Sequence, residues 1–352
     1  MEIGKTERYF LGANSARGFY SLYDGFTDPE GGDFLWVLKG GPGCGKSTFM
    51  RRIGAAAEQA GRRVEYIHCS GDPDSLDAVW LPELRLGYAD GTAPHVLEPR
   101  YPGASGLYLD LGSFLDAGAM QGELDAAADL NRRYKAHYAD AYRLLAAAAA
   151  LRVKGQPGLV TDGERGRARE KAARFAAREL PKGGGTGRLR ERFVSALSCR
   201  GRVSLLNTEG LRLVALDDRF GLGGEFLAEL AGCAAQRGLD AVVCRDPLEP
   251  ERIEALLLPE RALAVVAEER PGARKADRRL HLDAIPDSAR LAPLRPALRA
   301  RARESEALLA RACASLAAAK ALHDELEALY RPHVDFAGLD ALTEDHIRWI
   351  VG

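Results

Sequence analysis

The run Lys39-Gly-Gly-Pro-Gly-Cys-Gly-Lys-Ser-Thr48 constrains this chain more than any other segment. Gly40 to Ser47 reads G-x-x-x-x-G-K-S. A compact apolar run, Phe34 to Leu38, precedes it, and in the segment that follows, apolar positions 49, 50, 53, 56 and 57 share a helical face before Gly61. Strand, glycine loop and helix in that order are the context a Walker A phosphate loop requires. The expected ligand-binding residues are Gly40, Gly41, Pro42, Gly43, Cys44, Gly45, Lys46, Ser47 and Thr48. Successive backbone N–H groups curl round phosphates at the positive end of the helix. Lys46 is expected to reach the β- and γ-phosphates and Ser47 to place its hydroxyl on Mg²⁺. The competing reading is a glycine-rich turn with no ligand.

Arg63 to Cys69 reads as a second strand and Leu84 to Asp90 as a third, short run ending in a carboxylate. Asp90 is the candidate for the Walker B aspartate, a second Mg²⁺ residue at a strand end beside the loop. It also fits the opening residue of a turn, Asp90-Gly91-Thr92. No Glu follows it. Between the strands, His68-Cys-Ser-Gly-Asp-Pro-Asp-Ser-Leu-Asp77 makes Asp72 and Asp74 candidates to accept a proton from an acceptor hydroxyl, or simply turn and cap residues. His68 and His95 are weaker candidates for a substrate contact.

The second half repeats the first. Residues within Leu211 to Leu227 match Leu35 to Phe49 at an offset of 178, Glu249 to Glu260 lie over Asp72 to Glu83 at 177, and Phe193 to Gly201 over Phe10 to Gly18 at 183. In the second copy Lys46 becomes Gly224, Ser47 becomes Glu225, Gly40-Gly41 becomes Asp218-Arg219, and Ala267 stands at the Asp90 position. A glutamate without the lysine repels phosphates, so only the first copy is expected to bind nucleotide. The expected fold is α/β: two tandem P-loop-like three-layer units, each with a mostly parallel sheet and a long helical C-terminal extension, the second copy degenerate. The expected partition is 1–151, a basic Gly-containing linker or lid at 152–190, and 191–352. Gly122 to Leu151 and Leu294 to Tyr330 read as the long helices, which can pack together; the stripe Tyr134, Tyr138, Tyr142 reads as core. Arg165, Arg167 and Arg169 are lid candidates or a solvated basic face, and Lys182 to Gly187 a hinge.

Lys plus Arg number 49 against 50 Asp plus Glu, which gives no global field for nucleic acid or acidic membranes. The six cysteines lack C-x-x-C spacing, Met1 to Phe10 has no apolar core of a leader, and no run has the roughly 20 apolar residues of a membrane helix. A cytoplasmic protein is the expectation.

The blocks Lys39 to Thr48, His68 to Asp77, Leu-Pro-Glu-Leu84, Asp90-Gly-Thr-Ala-Pro-His95 and Pro102-Gly-Ala104 together resemble an uncharacterised bacterial family of tandem P-loop proteins labelled ATPase or ATP-binding. The resemblance implies a pair of P-loop folds and ATP binding at Gly40 to Thr48, and no substrate beyond the nucleotide. Asp218 to Glu225 departs from a second working loop. Three functions follow as expectations: a Mg²⁺-dependent ATPase acting as a switch, a P-loop kinase on a small molecule with Asp72 as base, and a scaffold that binds ATP without turnover. No N-K-x-D run favours guanine.

Overall fold

The computed structural model describes residues 6–94, 96–181, 183–270 and 272–352. His95 and Lys182 lie outside the described residues. The first unit runs β1 (Thr6–Phe10), β2 (Gly12–Ser15), β3 (Gly18–Ser21), β4 (Phe34–Lys39), α1 (Lys46–Gln59), β5 (Val64–His68), β6 (Leu76–Leu81), β7 (Leu86–Asp90) and β8 (Gly106–Asp110). Helices α2 (Ala117–Met120), α3 (Leu124–Leu151) and α4 (Asp162–Glu179) follow. The second unit runs β9 (Leu189–Arg192), β10 (Ser195–Ser198), β11 (Gly201–Ser204), β12 (Arg212–Asp217), α5 (Gly223–Ala235), β13 (Ala241–Arg245), β14 (Ile253–Leu258), β15 (Leu263–Glu268) and β16 (Arg278–His281). Helices α6 (Ser288–Leu291), α7 (Arg295–Tyr330) and α8 (Phe336–Val351) end the chain.

The two sheets have the same plan. One is ordered β1-β5-β6-β7-β4-β8 and the other β9-β13-β14-β15-β12-β16. In each, every pairing is parallel except those of the third strand, β6 or β14, which is antiparallel to both neighbours. Strand β6 follows the turn Asp72-Pro-Asp-Ser75, where the alternative of a helix N-cap is not realised. Leu-Pro-Glu is instead the tight connection of a hairpin, closed by Arg85 N–H to the Pro82 carbonyl in one unit and Ala262 N–H to the Pro259 carbonyl in the other.

The hairpin connections leave one long crossover helix per sheet, too few to cover both faces. The expected three-layer units are therefore not found; the layers run helix, sheet, sheet, helix. A single apolar cluster joins the inner faces, with Val37, Ile67, Ala78 and Ala89 from one sheet and Val242, Ala255, Ala264 and Val266 from the other, around Phe10 and Phe193. Those two phenylalanines exchange backbone N–H···O bonds of 2.9 Å in both directions. Further contacts between the units recur in matched pairs. Ala16 N–H reaches the Leu248 carbonyl and Cys199 N–H the Gly71 carbonyl, each at 3.0 Å, while Arg17 pairs with Glu251 and Arg200 with Asp74.

Helices α3 and α7 pack antiparallel along small side chains: Ser305 Oγ donates to the Ala148 carbonyl and Ser315 Oγ to Asp140. The tyrosine stripe of α3 is packed as expected, with rings 5.0 and 5.9 Å apart and Tyr142 donating to Asn14 Oδ1 at 3.2 Å. Beyond this pair the chain crosses over. Helix α4 packs on α5 of the second unit, and α8 returns to α1 of the first, where Leu339 and Ile350 join the core of Phe49, Ile53 and Tyr88. The apolar faces of α1 and α5 are thus each covered by a helix from the other side of the α3–α7 pair. Gly187, the end of that glycine run, is buried and packed, with its N–H bonded to the Ala235 carbonyl and a Cβ there 2.1 Å from the Leu239 carbonyl oxygen, while residues 183–186 are exposed. Among the described residues no helix is long and apolar enough to cross a membrane, and all six cysteines are free thiols.

Candidate functional site

The loop at Gly40–Gly45 leaves the carboxyl end of β4, a strand buried between β7 and β8. Two of its residues, Gly43 at φ 71° and Gly45 at φ 77°, sit in the left-handed region that side-chain-bearing residues avoid. Gly45 caps α1 with that geometry and no side chain, so the first N–H groups of the helix have no capping oxygen of their own. Lys46, the first residue of α1, folds back over the loop. Its Nζ donates to the Gly40 and Gly41 carbonyls at 2.8 and 3.0 Å and lies 3.7 Å from Asp90 Oδ2.

Asp90 ends β7 directly beside β4, in register with Leu38. Its Oδ1 accepts from Thr92 N–H and Oγ1 at 2.8 and 2.6 Å, as a turn residue does, while Oδ2 faces Lys46. The Ser47 hydroxyl accepts from Leu76 N–H at 2.9 Å, which leaves it a second acceptor position. Among the described residues no group of three or more His, Cys, Asp or Glu is placed to hold a metal. Mg²⁺ needs only one or two protein oxygens when phosphates and water complete its octahedron, and Ser47 and Asp90 are the residues that would supply them here. Cys44 is buried and its thiol is pushed up by that burial, while Thr48 is exposed at the first turn of α1. Lys39 spans the sheet edge, donating to the Gly91 and Leu97 carbonyls and so fixing the chain beyond Asp90.

The other candidates are occupied in ways that the sequence did not show. Asp72 Oδ2 is 3.4 Å from Lys320 of α7, and Asp72 Oδ1 accepts the N–H of Asp74. Asp74 is spent on Arg200 of the second unit. His68 is buried, with Nδ1 against the Pro73 carbonyl at 2.7 Å and Nε2 against Arg8 at 3.3 Å. A carbonyl only accepts and a guanidinium only donates, so the ring carries its proton on Nδ1 and is neutral; burial lowers its pKa accordingly. The lid candidates are far from the loop in the architecture, on α4 against the second unit. Arg165 and Arg169 hold Glu225 at 3.2 and 2.7 Å, and Arg167 donates to the Ile285 carbonyl.

The corresponding loop of the second unit is filled from inside the protein. Lys154, just past α3, places its ammonium 3.2 Å from Asp218, which stands where the first unit has Gly40, and 3.6 Å from Glu269. Two residues earlier Arg152 is held by Asp246 at 2.5 Å, by Glu249 at 2.9 Å and by Glu269. Helix α5 also begins at Gly223, so the residue matching Gly45 is already helical. A cation and its carboxylates take the space and charge that phosphates take at an open loop.

One set of neighbours was missed by the sequence reading. The end of α7 and the start of α8 press on Gly40–Gly45: a Cβ on Gly41 would lie 3.1 Å from the Tyr330 ring, on Gly43 2.9 Å from the Glu327 carbonyl oxygen, and on Gly45 2.7 Å from Leu339. No local pattern marks residues nearly 300 positions away as part of this site. Compared with known proteins, the chain matches no family model, no curated protein and no solved structure.

Proposed function

We propose that the protein is a Mg²⁺-dependent ATP-binding protein and ATPase with one working site, at Gly40–Thr48, and that nucleotide turnover there acts as a switch on the contact between its two halves. The observation that supports this most is Lys46, held by two loop carbonyls at the mouth of a helix and 3.7 Å from Asp90. That arrangement brings a cation and a carboxylate to the uncapped start of a helix, the parts from which a Mg²⁺–phosphate site would be assembled. Mg²⁺ held by Ser47 and Asp90 supplies neutralisation of the β- and γ-phosphate charge. The loop amides orient the phosphates, and Lys46 exchanges its loop carbonyls for phosphate oxygens. On this reading the two units are tandem copies of one P-loop-type fold, as the shared strand order and the family resemblance suggest, and the Lys154–Asp218 pair has replaced the ligand in the second copy.

Helices α7 and α8, from beyond the second unit, abut the loop, and this favours a switch, since a change in the loop must be felt by them. The kinase alternative needs Asp72 free to orient an acceptor, and its pairing with Lys320 argues for hydrolysis instead. Calorimetry with Mg·ATP on the full chain tests the proposal. One site per chain is expected, with Lys46→Ala weakening it by the 1.5 to 3 kcal/mol typical of a charge-assisted hydrogen bond, about 10- to 150-fold. Two sites, or equal binding by Lys46→Ala, refutes the assignment. Phosphate release under Mg·ATP separates an ATPase from a scaffold that only binds.

A further inference from the structure

We propose that Arg331, at the end of α7, is a phosphate-binding residue of this site, so that both halves of the chain grip the nucleotide. The inference rests on the reading of Gly40–Thr48 as the ATP site. Its basis is a comparison of what the two long helices deliver to the two loops.

In each unit, the chain leaving one long helix runs against the loop after the first central strand. A Cβ on Gly221 would lie 3.1 Å from Gly155 N and 3.4 Å from Lys154 Cα, both just beyond α3, and 3.4 Å from the Arg252 guanidinium. Gly43, at the matching position, would meet the Glu327 carbonyl at 2.9 Å and Arg331 Cγ at 3.1 Å, at the end of α7. The same place in the fold therefore carries a basic residue in both units. In the second, that residue is Lys154, and its anion is built in as Asp218, with side-chain exposures of only 8% and 3%.

In the first unit the built-in anion is missing, because Gly40 stands where Asp218 does. Arg331 is exposed, and among the described residues its guanidinium is in no ion pair; it rests over the Phe336 ring, 5.9 Å from the centroid. The nearest acid of its own helix, Glu327, is bonded by His323 at 3.4 Å, and that hydrogen bond leads the causes that lower its pKa. A guanidinium whose stem packs on Gly43 belongs to the same loop over which Lys46 folds, and it has no acid assigned to it. The ligand that completes such a set is a phosphate chain, which a guanidinium matches with paired donors. What the second unit does with its own Asp218, the first does with the ligand.

The test is calorimetric titration of Mg·ATP into the full chain for wild type, Arg331→Met, Arg331→Lys and Lys46→Ala, with a thermal melt of each without nucleotide. Methionine keeps most of the stem that packs on Gly43 and removes the charge. Arg331→Met is expected to bind about 10- to 100-fold more weakly at an unchanged melting temperature, with Arg331→Lys recovering part of the loss. Unchanged affinity in Arg331→Met means that the side chain only packs, and overturns the proposal. If the methionine variant melts early, Arg331→Gln against Arg331→Lys, compared at equal stability, reads the same charge effect; equal affinity of the two overturns it. A wild type that binds no Mg·ATP removes the ATP site itself and the proposal with it, whereas wild-type binding lost in Lys46→Ala but kept in Arg331→Met removes the proposal alone.

Discussion

Lys154→Met breaks the ion pair that fills the second loop, and its cost follows from what is left behind. Asp218 keeps a side-chain exposure of 3%, and its Oδ1 has no hydrogen-bond partner among the described residues. Glu269 loses one cation but keeps Arg152. The main penalty is one buried carboxylate without its counter-charge, and removing a single partner of a buried pair costs about 3 to 5 kcal/mol. Since Glu269 retains a partner, the lower end, about 3 kcal/mol, is the expectation. Lys154→Met with Asp218→Asn removes both charges and should lose much less than the sum of the single changes, a coupling of about 2 kcal/mol. Urea denaturation followed by far-UV circular dichroism and by tryptophan fluorescence measures it, with agreement of the two probes checking for a single transition. All three tryptophans, Trp36, Trp80 and Trp349, lie in the first unit or on α8, so divergence of the probes separates the units. A Lys154→Met protein within 0.5 kcal/mol of wild type, on the scale of ordinary surface changes, refutes the reasoning.

Burial, with the Asp246 charge adding to it, pushes Glu254 up to about 7. The folded protein then holds a proton that the unfolded chain releases near pH 4.5. Stability from this group is complete at low pH and falls as pH rises to about 7, by up to about 3 kcal/mol; Glu254→Gln should flatten that slope in melts from pH 4.5 to 8, and an unchanged slope would rule the group out. Asp90→Asn should abolish Mg²⁺-dependent phosphate release while leaving much of the nucleotide affinity, and full turnover in that variant moves the metal assignment elsewhere. Leu339→Ala, in the core against Gly45, should cost about 2 to 5 kcal/mol in denaturation. Arg52→Ala, which loses only the exposed pairs with Asp340 and Glu344 on the same helix contact, should cost no more than about 1 kcal/mol; a reversed order would mean that charge rather than packing docks α8.

The strand, glycine loop and helix from Phe34 to Gln59 were legible because everything that specifies them is local: an apolar run, glycines after it and a helical stripe beyond them. Asp90 was legible for the same reason, as the last residue of a short strand. The likeness of the two units, whose sheets share one strand order, was legible in the near-constant offset between sequence blocks. Strand β6 was not legible, because Leu76 to Leu81 is six residues long and flanked by turn formers that also suit a helix start. The partners of Asp72, Asp74 and Glu225 could not be read either, since each is an arginine or lysine on an element far away in sequence. Periodicity shows that α4 and α8 have an apolar face. It carries no information about which sheet that face will meet.

The crossing of α4 and α8 sets an order for the birth of the protein. A chain made from its N-terminus folds unit by unit as it emerges. Helix α4 is made before the unit it covers, so β12, α5 and β13 find their lid waiting. The end of α7 and helix α8 are made after the whole second sheet, so α1 and the glycine loop stay bare of Arg331 and Leu339 until then. The nascent first unit therefore exposes the apolar face of α1 throughout the synthesis of residues 152–335, a period in which a chaperone or a second nascent chain has access to it. Completion of the glycine loop's surroundings is in this way tied to completion of its neighbour, and a ribosome that stalls in the second unit leaves behind a loop that has not yet acquired its far wall.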